Sequence, residues 1–315
     1  MPNNSRGDAR RVFWFDDNKT PNVYDALSKV DAVTAYKLNF DTPQDDNWEI
    51  MEACHAYCIT AARDEVLDQY KGNGELLDRC KNLLVLSSSG AGYDPIDVAA
   101  CTERGVLVVN QAGANAEAVA EHAVGMMLSL TKNIPQTDKS LRRERGVERE
   151  IFKGWNMEGK TVGILGLGNT GSRVARICKN GLNMRVLAYD PYITTGDFTE
   201  RGAVETELEE LLEQADFISI NCPFNSETED LISRSELALM KPSAFLVNCA
   251  RGGIANEAAM IEALENKQIR GIGLDVWDQE PPPLDHPLLR FDNLIATYHT
   301  AGVTFESREN MAFWN

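Results

Sequence analysis

One stretch of about thirty residues most constrains the fold, because it combines a strand, a glycine-rich turn, a helix and a second strand. The apolar run Thr161–Leu165 predicts the first strand, and the sequence GLGNTG follows it directly from Gly166. Residues 172–179 have a helical pattern, and the second predicted strand, over residues 185–189, ends at Asp190. This order is typical of a Rossmann βαβ unit, in which the glycine turn and the later acid bind a dinucleotide.

Each glycine of this turn has a separate physical role in such a unit. Gly166 allows the tight turn, Gly168 lets the backbone approach a pyrophosphate, and Gly171 lets the helix pack closely on the strand. Amides at the helix N-terminus then bind the pyrophosphate. Asp190 would accept hydrogen bonds from the adenosine ribose and repel a 2′-phosphate, and no Arg or Lys follows it before Arg201. The sequence favours NAD over NADP, and the alternative is a Rossmann-like glycine turn without a nucleotide.

Short apolar strands alternate with helical segments along most of the chain, and its 315 residues are typical of two domains. Before the glycine turn, strands are predicted at residues 11–15, 56–60, 83–86 and 106–109. After residue 190, they are predicted at residues 217–221, 245–248, 271–276 and 294–297. Because strands that alternate with helices form parallel sheets, we expect an α/β protein with two Rossmann-like or flavodoxin-like domains.

The composition excludes several classes of function. A net charge of −17 argues against a general binder of nucleic acids or anionic membranes. Seven cysteines without a CxxC pair indicate reduced thiols in a cytoplasmic protein. Cys54, His55 and Cys58 lie close together, but no second ligand pair follows, so no metal site is predicted. The sequence also predicts neither a secretory signal nor a membrane span.

Two helical stretches precede the glycine turn. Residues 115–130 are apolar on most sides, which predicts a buried helix between two domains or in a dimer contact. Residues 139–150 are highly charged and predict a solvated helix or arm. An arm that bridges two subunits is the alternative interpretation of this charged stretch.

Arg251, Glu280 and His299 each follow a predicted strand of the second series. Because the carboxyl ends of parallel strands meet at one edge of a sheet, the three side chains could form one site. Their chemistry suits hydride transfer to a carbonyl. The histidine would supply the proton, the glutamate would stabilise the imidazolium, and the arginine would bind a substrate carboxylate. Taken singly, each also has an ordinary interpretation as a surface charge, a turn residue or a structural histidine.

Elimination among the four histidines supports the choice of His299. His55 lies beside a predicted core strand, His122 lies in the predicted buried helix, and His286 lies among prolines. For these three a structural role is the better interpretation. His299 remains as the candidate acid/base.

Several segments make the sequence resemble the D-isomer-specific 2-hydroxyacid dehydrogenases, the family of phosphoglycerate, glycerate and D-lactate dehydrogenases. They are GAGYDPID from Gly90, GVLVVN from Gly105, AVAEH from Ala118, LGLG from Leu165, NCARG from Asn248, LDV from Leu274, the pair Glu280-Pro281, and HTAG from His299. Related formate dehydrogenases have Gln in place of Glu280, so the resemblance disfavours formate as the substrate.

The resemblance implies a discontinuous substrate domain, an inserted NAD-binding Rossmann domain, and a cleft between them that holds the site. The implied substrate domain comprises residues 1–114 and 298–315, and the cofactor domain residues 115–297. Arg251 would be the carboxylate clamp, Glu280 the partner of the base and His299 the general acid/base. The implied contacts of the substrate carboxylate also include the backbone amides around Gly90, Ala91 and Gly92. The implied NAD contacts are Gly166, Gly168, Asn169, Thr170, Gly171, Asp190, Cys222, Cys249, Ala250, Arg251, Asp275, His299, Ala301 and Gly302.

The leading hypothesis is therefore an NAD-dependent enzyme that reduces 2-oxo acids or, in the reverse direction, oxidises D-2-hydroxy acids. The resemblance further implies a homodimer joined through the cofactor domain, and a helix that begins near Phe305. The alternatives are an NAD(H)-sensing module similar to some corepressors, and a dehydrogenase fold that has lost its activity. The pattern does not identify which 2-hydroxy acid is the substrate.

Overall fold

The computed structural model describes residues 9–15 and 29–314. The chain divides into two compact units. The first unit contains the chain up to Asn115 and from Val303, and the second contains Ala116–Gly302.

The first unit contains a five-stranded parallel sheet with the strand order β2-β1-β3-β4-β5. Its strands are β1 (Arg10–Phe15), β2 (Val33–Leu38), β3 (Ala56–Thr60), β4 (Val85–Ser89) and β5 (Leu107–Val109). Its helices are α1 (Gln44–Glu52), α2 (Gly74–Arg79), α3 (Val98–Glu103) and, at the chain end, α11 (Phe305–Trp314). Buried aromatic rings fill the core, where Phe13 stacks on Tyr57 with 4.3 Å between the ring centroids.

Two strands of this unit differ from the sequence prediction. The strand predicted at residues 83–86 instead runs from Val85 through three serines to Ser89. Pairing with β3 sets these bounds, because each residue of β4 pairs with one of β3, up to Thr60 with Ser89. Leu83 is buried but lies outside the strand. Its apolar side chain therefore indicated a core position and not a strand residue. The edge strand β2 was not predicted, since its polar and apolar side chains do not form a continuous apolar run.

The second unit contains a seven-stranded parallel sheet with the strand order β12-β11-β10-β9-β6-β7-β8. Its strands are β6 (Thr161–Leu165), β7 (Arg185–Tyr189), β8 (Val204–Glu205), β9 (Phe217–Ile220), β10 (Phe245–Asn248), β11 (Gly271–Leu274) and β12 (Leu294–Ala296). Its helices are α4 (Ala116–Thr131), α5 (Ile134–Arg143), α6 (Asn169–Leu182), α7 (Thr195–Glu200), α8 (Leu208–Gln214), α9 (Arg234–Leu239) and α10 (Glu257–Glu265). Two parallel-sheet units confirm the predicted α/β class.

The two helices before the glycine turn differ in burial as their sequences predict. Most residues of α4 that are alanine, valine, leucine or methionine are buried, and this helix packs on α6, β10 and β11. In contrast, α5 has no buried residue, and the charged residues 139–150 are all at least partly exposed. Only residues 139–143 of that stretch belong to α5, so the stretch is solvated as expected but only partly α-helical.

The strand order of the second unit determines where a ligand can bind. After β6 the chain continues to β7 and β8 on one side, and then returns to β9 on the other side of β6. In open parallel sheets, ligands bind beyond the carboxyl ends of the strands at such a reversal. The reversal therefore places the candidate site at the edge that follows β6, β9, β10, β11 and β12.

Within the described residues, no helix is long and apolar enough to cross a bilayer. The same part of the chain contains no group of three acidic, histidine or cysteine side chains arranged to hold a metal ion.

Candidate active site

The glycine turn after β6 has the backbone geometry that a dinucleotide requires. Gly166 has a φ of +84°, and a Cβ atom there would lie 2.8 Å from the backbone nitrogen of Cys222. A Cβ atom at Gly171 would lie 2.0 Å from the carbonyl oxygen of Gly166. A Cβ atom at Gly168, in contrast, would meet no protein atom within 4 Å. Two glycines are therefore needed for packing, whereas Gly168 faces open space.

This open space adjoins the start of α6. Gly168 is the residue before the helix, and it has no side chain that could cap it. The first N–H groups of a helix have no acceptor within the helix, and they attract anions together with the helix dipole. The turn therefore fits a pyrophosphate group, whose approach a side chain at position 168 would obstruct.

Alanine substitutions at two glycines should separate cofactor binding from folding. Gly168→Ala is expected to leave the melting temperature nearly unchanged and to weaken NADH binding, because the new methyl group fills space that only a ligand would use. Gly171→Ala is expected to lower the melting temperature by several degrees, because its methyl group overlaps the carbonyl of Gly166. Thermal unfolding and NADH fluorescence titration measure the two effects. An equal loss of stability in both variants would contradict these roles.

Asp190 follows β7, and its carboxylate holds the glycine turn in place. Its Oδ2 atom accepts a hydrogen bond of 2.9 Å from the amide of Leu167, and its Oδ1 atom accepts one of 3.0 Å from the amide of Tyr192. Arg201 contacts the same turn, since its Nη1 atom donates to the carbonyl oxygen of Leu167 at 2.6 Å. The sequence did not predict this contact, because α7 separates Arg201 from Asp190 along the chain. In the fold, Arg201 at the end of α7 lies next to the glycine turn.

Glu280 and His299 form a hydrogen-bonded pair. The Nδ1 atom of His299 lies 2.8 Å from Oε2 of Glu280, and Oε1 of Glu280 accepts a 3.0 Å hydrogen bond from the amide of Trp277. Both side chains are partly exposed, at 31% for His299 and 21% for Glu280. The second bond fixes the carboxylate, so the imidazole has a fixed partner but remains accessible.

The two groups change each other's proton affinity. Burial lowers the pKa of His299, but its hydrogen bond to Glu280 and the charge of that carboxylate outweigh burial, so the net pKa is raised. Burial raises the pKa of Glu280, and the bond and charge of His299 outweigh it, so the net pKa is lowered. The pair therefore favours an imidazolium next to a carboxylate, which is the state that can donate a proton.

Arg251 lies in the turn after β10, and its position is set by backbone contacts. Asn248 spans this turn, since its side chain donates to the carbonyl of Arg251 at 2.8 Å and accepts from the amide of Ala250 at 3.0 Å. A Cβ atom at Gly252 would lie 2.0 Å from the carbonyl oxygen of Trp277. The arginine turn therefore packs directly on the segment that leads to Glu280.

The guanidinium of Arg251 acts electrostatically on both members of the pair. Its charge lowers the pKa of His299 and contributes to the lowered pKa of Glu280. The structure thus brings the three predicted polar residues together at one edge of the second sheet. An arginine, a carboxylate and an imidazole there can bind a carboxylate and transfer a proton.

Asp275 holds the segment that carries His299. Its carboxylate is fully buried and accepts hydrogen bonds of 2.8 Å from the amides of Thr300 and Ala301. The hydroxyl of Thr297 donates to the same carboxylate at 2.5 Å. The family resemblance implied that Asp275 contacts the cofactor. The sequence did not predict its anchoring role, because the three donors follow a different strand, β12.

The predicted cysteines at this edge are not reactive thiols. Cys222 follows β9, and burial raises its pKa to about 11. Cys249 follows β10, and burial raises its pKa further. Both therefore remain protonated near neutral pH, so any contact with a cofactor would be through packing or backbone atoms. Ala250 lies beside Cys249 after β10, whereas Ala301 and Gly302 lie after β12.

The predicted carboxylate-binding glycines lie in the first unit, directly after β4. The side chain of Ser88 donates to the carbonyl of Gly92, and Asn110 donates to the carbonyl of Ala91 at 2.8 Å. A Cβ atom at Gly90 would lie 2.7 Å from the Cβ atom of Ala61. These contacts fix the loop through its carbonyl groups and account for a glycine at position 90.

Two of the other histidines, His55 and His286, make structural contacts. His55 accepts a 3.0 Å hydrogen bond from the amide of Arg11 through Nδ1. His286 lies 2.9 Å from Glu257 and packs edge-on against Trp277. The contacts agree with the structural interpretation of both residues.

Known proteins provide a comparison with this geometry. A family model described as the NAD binding domain of D-isomer specific 2-hydroxyacid dehydrogenases matches residues 124–301. D-3-phosphoglycerate dehydrogenase of Archaeoglobus fulgidus is 40% identical over 246 residues, which cover 78% of this chain and 46% of that protein. Glyoxylate reductase of Thermofilum pendens is 36% identical over 253 residues, covering 77% and 72% respectively. The chain thus spans about half the length of the phosphoglycerate dehydrogenases that it matches.

Solved structures have a similar fold over almost the whole chain. A glyoxylate reductase from Paecilomyes thermophila has a TM-score of 0.85 and 26% identity, over 97% of this chain and 92% of that one. D-lactate dehydrogenase from Aquifex aeolicus, complexed with NAD and lactic acid, has a TM-score of 0.83 and 26% identity, over 96% and 92%.

Proposed function

The chain belongs to the D-isomer-specific 2-hydroxyacid dehydrogenase family, and on that premise we propose that it transfers a hydride between NAD and a small 2-oxo or D-2-hydroxy acid. The observation that carries this proposal is the 2.8 Å pair of His299 and Glu280, with Arg251 in electrostatic range, at the sheet edge that also bears the glycine turn. This combination supports proton transfer, carboxylate binding and dinucleotide binding in one unit.

The proposed reaction assigns the proton to His299. A nicotinamide, when bound, would supply the hydride for the C2 carbon of the 2-oxo acid. His299 gives its proton to the carbonyl oxygen, and Glu280 stabilises the imidazolium before this transfer. Because Nδ1 is hydrogen-bonded to Glu280, we assign the transfer to Nε2. In the oxidation direction the same nitrogen accepts the hydroxyl proton.

Arg251 is the proposed clamp for the substrate carboxylate, because a guanidinium can bind a carboxylate through two parallel hydrogen bonds. The backbone amides around Gly90, Ala91 and Gly92 are proposed as further contacts of the same group. We accordingly propose that the first unit, up to Asn115 and from Val303, forms the substrate domain and that the second unit forms the NAD-binding domain. The resemblance implies residues 1–114 and 298–315 for the first and residues 115–297 for the second, and the shift of the second boundary leaves His299 in the NAD-binding unit.

The proposed cofactor contacts begin at the glycine turn, where the pyrophosphate would bind the first amides of α6. Asp190 would bind the adenosine ribose, and its negative charge supports NAD rather than NADP. The remaining proposed contacts are Asn169, Thr170, Cys222, Cys249, Ala250, Asp275, Ala301 and Gly302, with Arg251 and His299 near the reactive end.

Substitution of Asp190 should change the preference between the two cofactors. Asp190→Ala is expected to weaken NADH binding by roughly tenfold or more and to weaken NADPH binding much less, since it removes both the ribose acceptor and the charge that repels a 2′-phosphate. Because Asp190 also holds Leu167 and Tyr192, Asp190→Asn serves as the control that retains one hydrogen-bond acceptor. Dissociation constants from fluorescence titration test this. Equal losses for the two cofactors would remove Asp190 from the ribose assignment.

We further propose a homodimer joined through the second unit. Three exposed apolar side chains lie in α5 or directly after the charged stretch: Ile134, Leu141 and Ile151 are 53%, 69% and 68% exposed. Apolar side chains in such positions favour cover by another subunit. Light scattering of the protein in solution measures the molar mass that decides this.

The test of the proposed function is the loss of NADH absorbance in the presence of single 2-oxo acids. Glyoxylate, hydroxypyruvate, pyruvate and larger analogues form the panel, and turnover of at least one is expected. NADH binding without turnover of any of these acids would favour a nucleotide-sensing module over an enzyme. Absence of NADH binding would contradict both functions.

A further inference from the structure

The starting observation is the buried charge of Asp275. This carboxylate is 0% exposed, although it follows β11 at the edge of the candidate site. A buried carboxylate is unfavourable unless hydrogen-bond donors and positive charge compensate it. Two backbone amides and the hydroxyl of Thr297 supply donors, but none of these groups carries a charge.

The imidazole of His122, which lies in α4, is the next group beyond Thr297. Its Nε2 atom lies 3.2 Å from Oγ1 of Thr297 and 3.8 Å from Oδ1 of Asp275. A hydroxyl has a single proton, and the 2.5 Å contact assigns that proton to Asp275. With its proton donated to Asp275, the hydroxyl of Thr297 accepts at its oxygen, and this assigns the donor N–H of the 3.2 Å contact to Nε2 of His122. The contacts form a directed chain from His122 through Thr297 to Asp275.

Asp275, at the end of this series of hydrogen bonds, holds a strained turn. His299 has a φ of +51°, in the left-handed region that is unfavourable for residues other than glycine. Its amide donates to the backbone oxygen of Asp275 at 2.7 Å, and the next two amides donate to the carboxylate of the same residue. The orientation of Asp275 therefore determines whether the turn holds His299 against Glu280.

We propose that His122 is a positioning residue for the reaction, and this inference rests on the proposed function. It acts through Thr297 and Asp275 to hold the imidazole of His299 at its bonding distance from Glu280. His122 transfers no proton to the substrate in this proposal. Among the described residues, the charged groups that shift the pKa of His299 are Glu280, Arg251 and Asp275, and of these His122 contacts Asp275.

Imidazole NMR tests this inference without any substrate. The chain has four histidines, so each ring can be assigned by substitution. His122→Met removes the N–H donor but keeps a good helix former, and it should move the pKa of His299 from its raised value towards the ordinary one. His122→Gln keeps an N–H donor at a similar reach and should leave the pKa of His299 raised. A purely packing role would give the same result for both variants.

Kinetics provide the second readout. His122→Met is expected to lower kcat by roughly tenfold with little change in KM for NADH, as is typical when a supporting contact of a functional group is lost. Thr297→Val, which has nearly the same shape without the hydroxyl, should have the same effect, whereas Thr297→Ser should retain activity. Because His122 and Thr297 act through the same series of hydrogen bonds, the double variant with His122→Met and Thr297→Val should be no worse than either single variant. Glu121→Gln, at an exposed position of the same helix, serves as the control.

The outcomes separate this inference from the proposed function. An unchanged pKa of His299 in His122→Met, equal damage from His122→Gln, or additive losses in the double variant would each overturn the positioning role. If the unsubstituted protein reduced no 2-oxo acid, the proposed function would fail instead. The NMR titration would still decide whether His122 acts on His299.

Discussion

His299→Asn is expected to lower kcat for reduction of a 2-oxo acid by about a thousandfold, within the range that general acid–base catalysis contributes. NADH affinity should stay within about twofold of the original value, because the proposed contacts at the glycine turn and Asp190 are unaffected and only one contact near the reactive end changes. Asparagine is the appropriate replacement because it tolerates the left-handed conformation that His299 adopts, with φ at +51°. Stopped-flow kinetics and fluorescence titration measure the two quantities. Near-normal turnover in this variant would remove His299 from the proposed role.

The pH dependence of the unsubstituted protein provides a control for this assignment. In the proposed reaction the protonated imidazole donates to the substrate, so kcat/KM should fall as the pH rises through the pKa of His299. Because Glu280 raises that pKa, the fall should occur above the ordinary pKa of histidine. Glu280→Gln removes the carboxylate charge and should move the fall towards lower pH. A profile that does not move would show that the pair does not control the proton transfer.

The residue types and order in the sequence were sufficient to predict the main features of the second unit. The strand β6, the glycine turn and Asp190 could be predicted because each has a local cause: an apolar run, a backbone requirement and a strand end. Arg251, Glu280 and His299 could be predicted because parallel strands bring their carboxyl ends to one edge. Their convergence therefore depended on topology rather than on side-chain detail.

The contacts that support these residues could not be predicted in the same way. Thr297 and His122 are 175 residues apart, and no periodic pattern connects a helix residue with the end of β12. Arg201 follows Asp190 along the chain only after α7, but the fold places its guanidinium at the carbonyl of Leu167. The strands β2 and β8 lie at sheet edges, where pairing on one side requires little apolar sequence.

Asp275 illustrates how the resemblance and the structure contribute different information. The resemblance implied a contact with the cofactor, which remains a prediction. The structure shows that the same carboxylate accepts three hydrogen bonds from the segment around His299. A substitution at Asp275 would therefore disturb the position of the acid/base as well as any cofactor contact. For this reason a loss of activity in such a variant would not identify a role in cofactor binding.

Arg251→Gln is expected to lower kcat/KM for a 2-oxo acid by roughly 10²–10³-fold, because loss of a charged hydrogen-bonded pair typically costs about 2–5 kcal/mol. Most of the effect should be an increase in KM, since the substrate carboxylate is bound before and during the reaction. Arg251→Lys should be intermediate, because it keeps the charge but not the two parallel hydrogen bonds. Steady-state kinetics with NADH at saturation measure both variants.

A second substrate makes the test of Arg251 specific to the carboxylate. An aldehyde without a carboxylate should be a poor substrate of the unsubstituted protein, and Arg251→Gln should affect its reduction only slightly. Because the guanidinium lowers the pKa of His299, the same variant should also move the alkaline fall in kcat/KM to higher pH. Equal losses for the 2-oxo acid and the aldehyde would show that Arg251 supports the site in another way, and that the substrate carboxylate binds elsewhere.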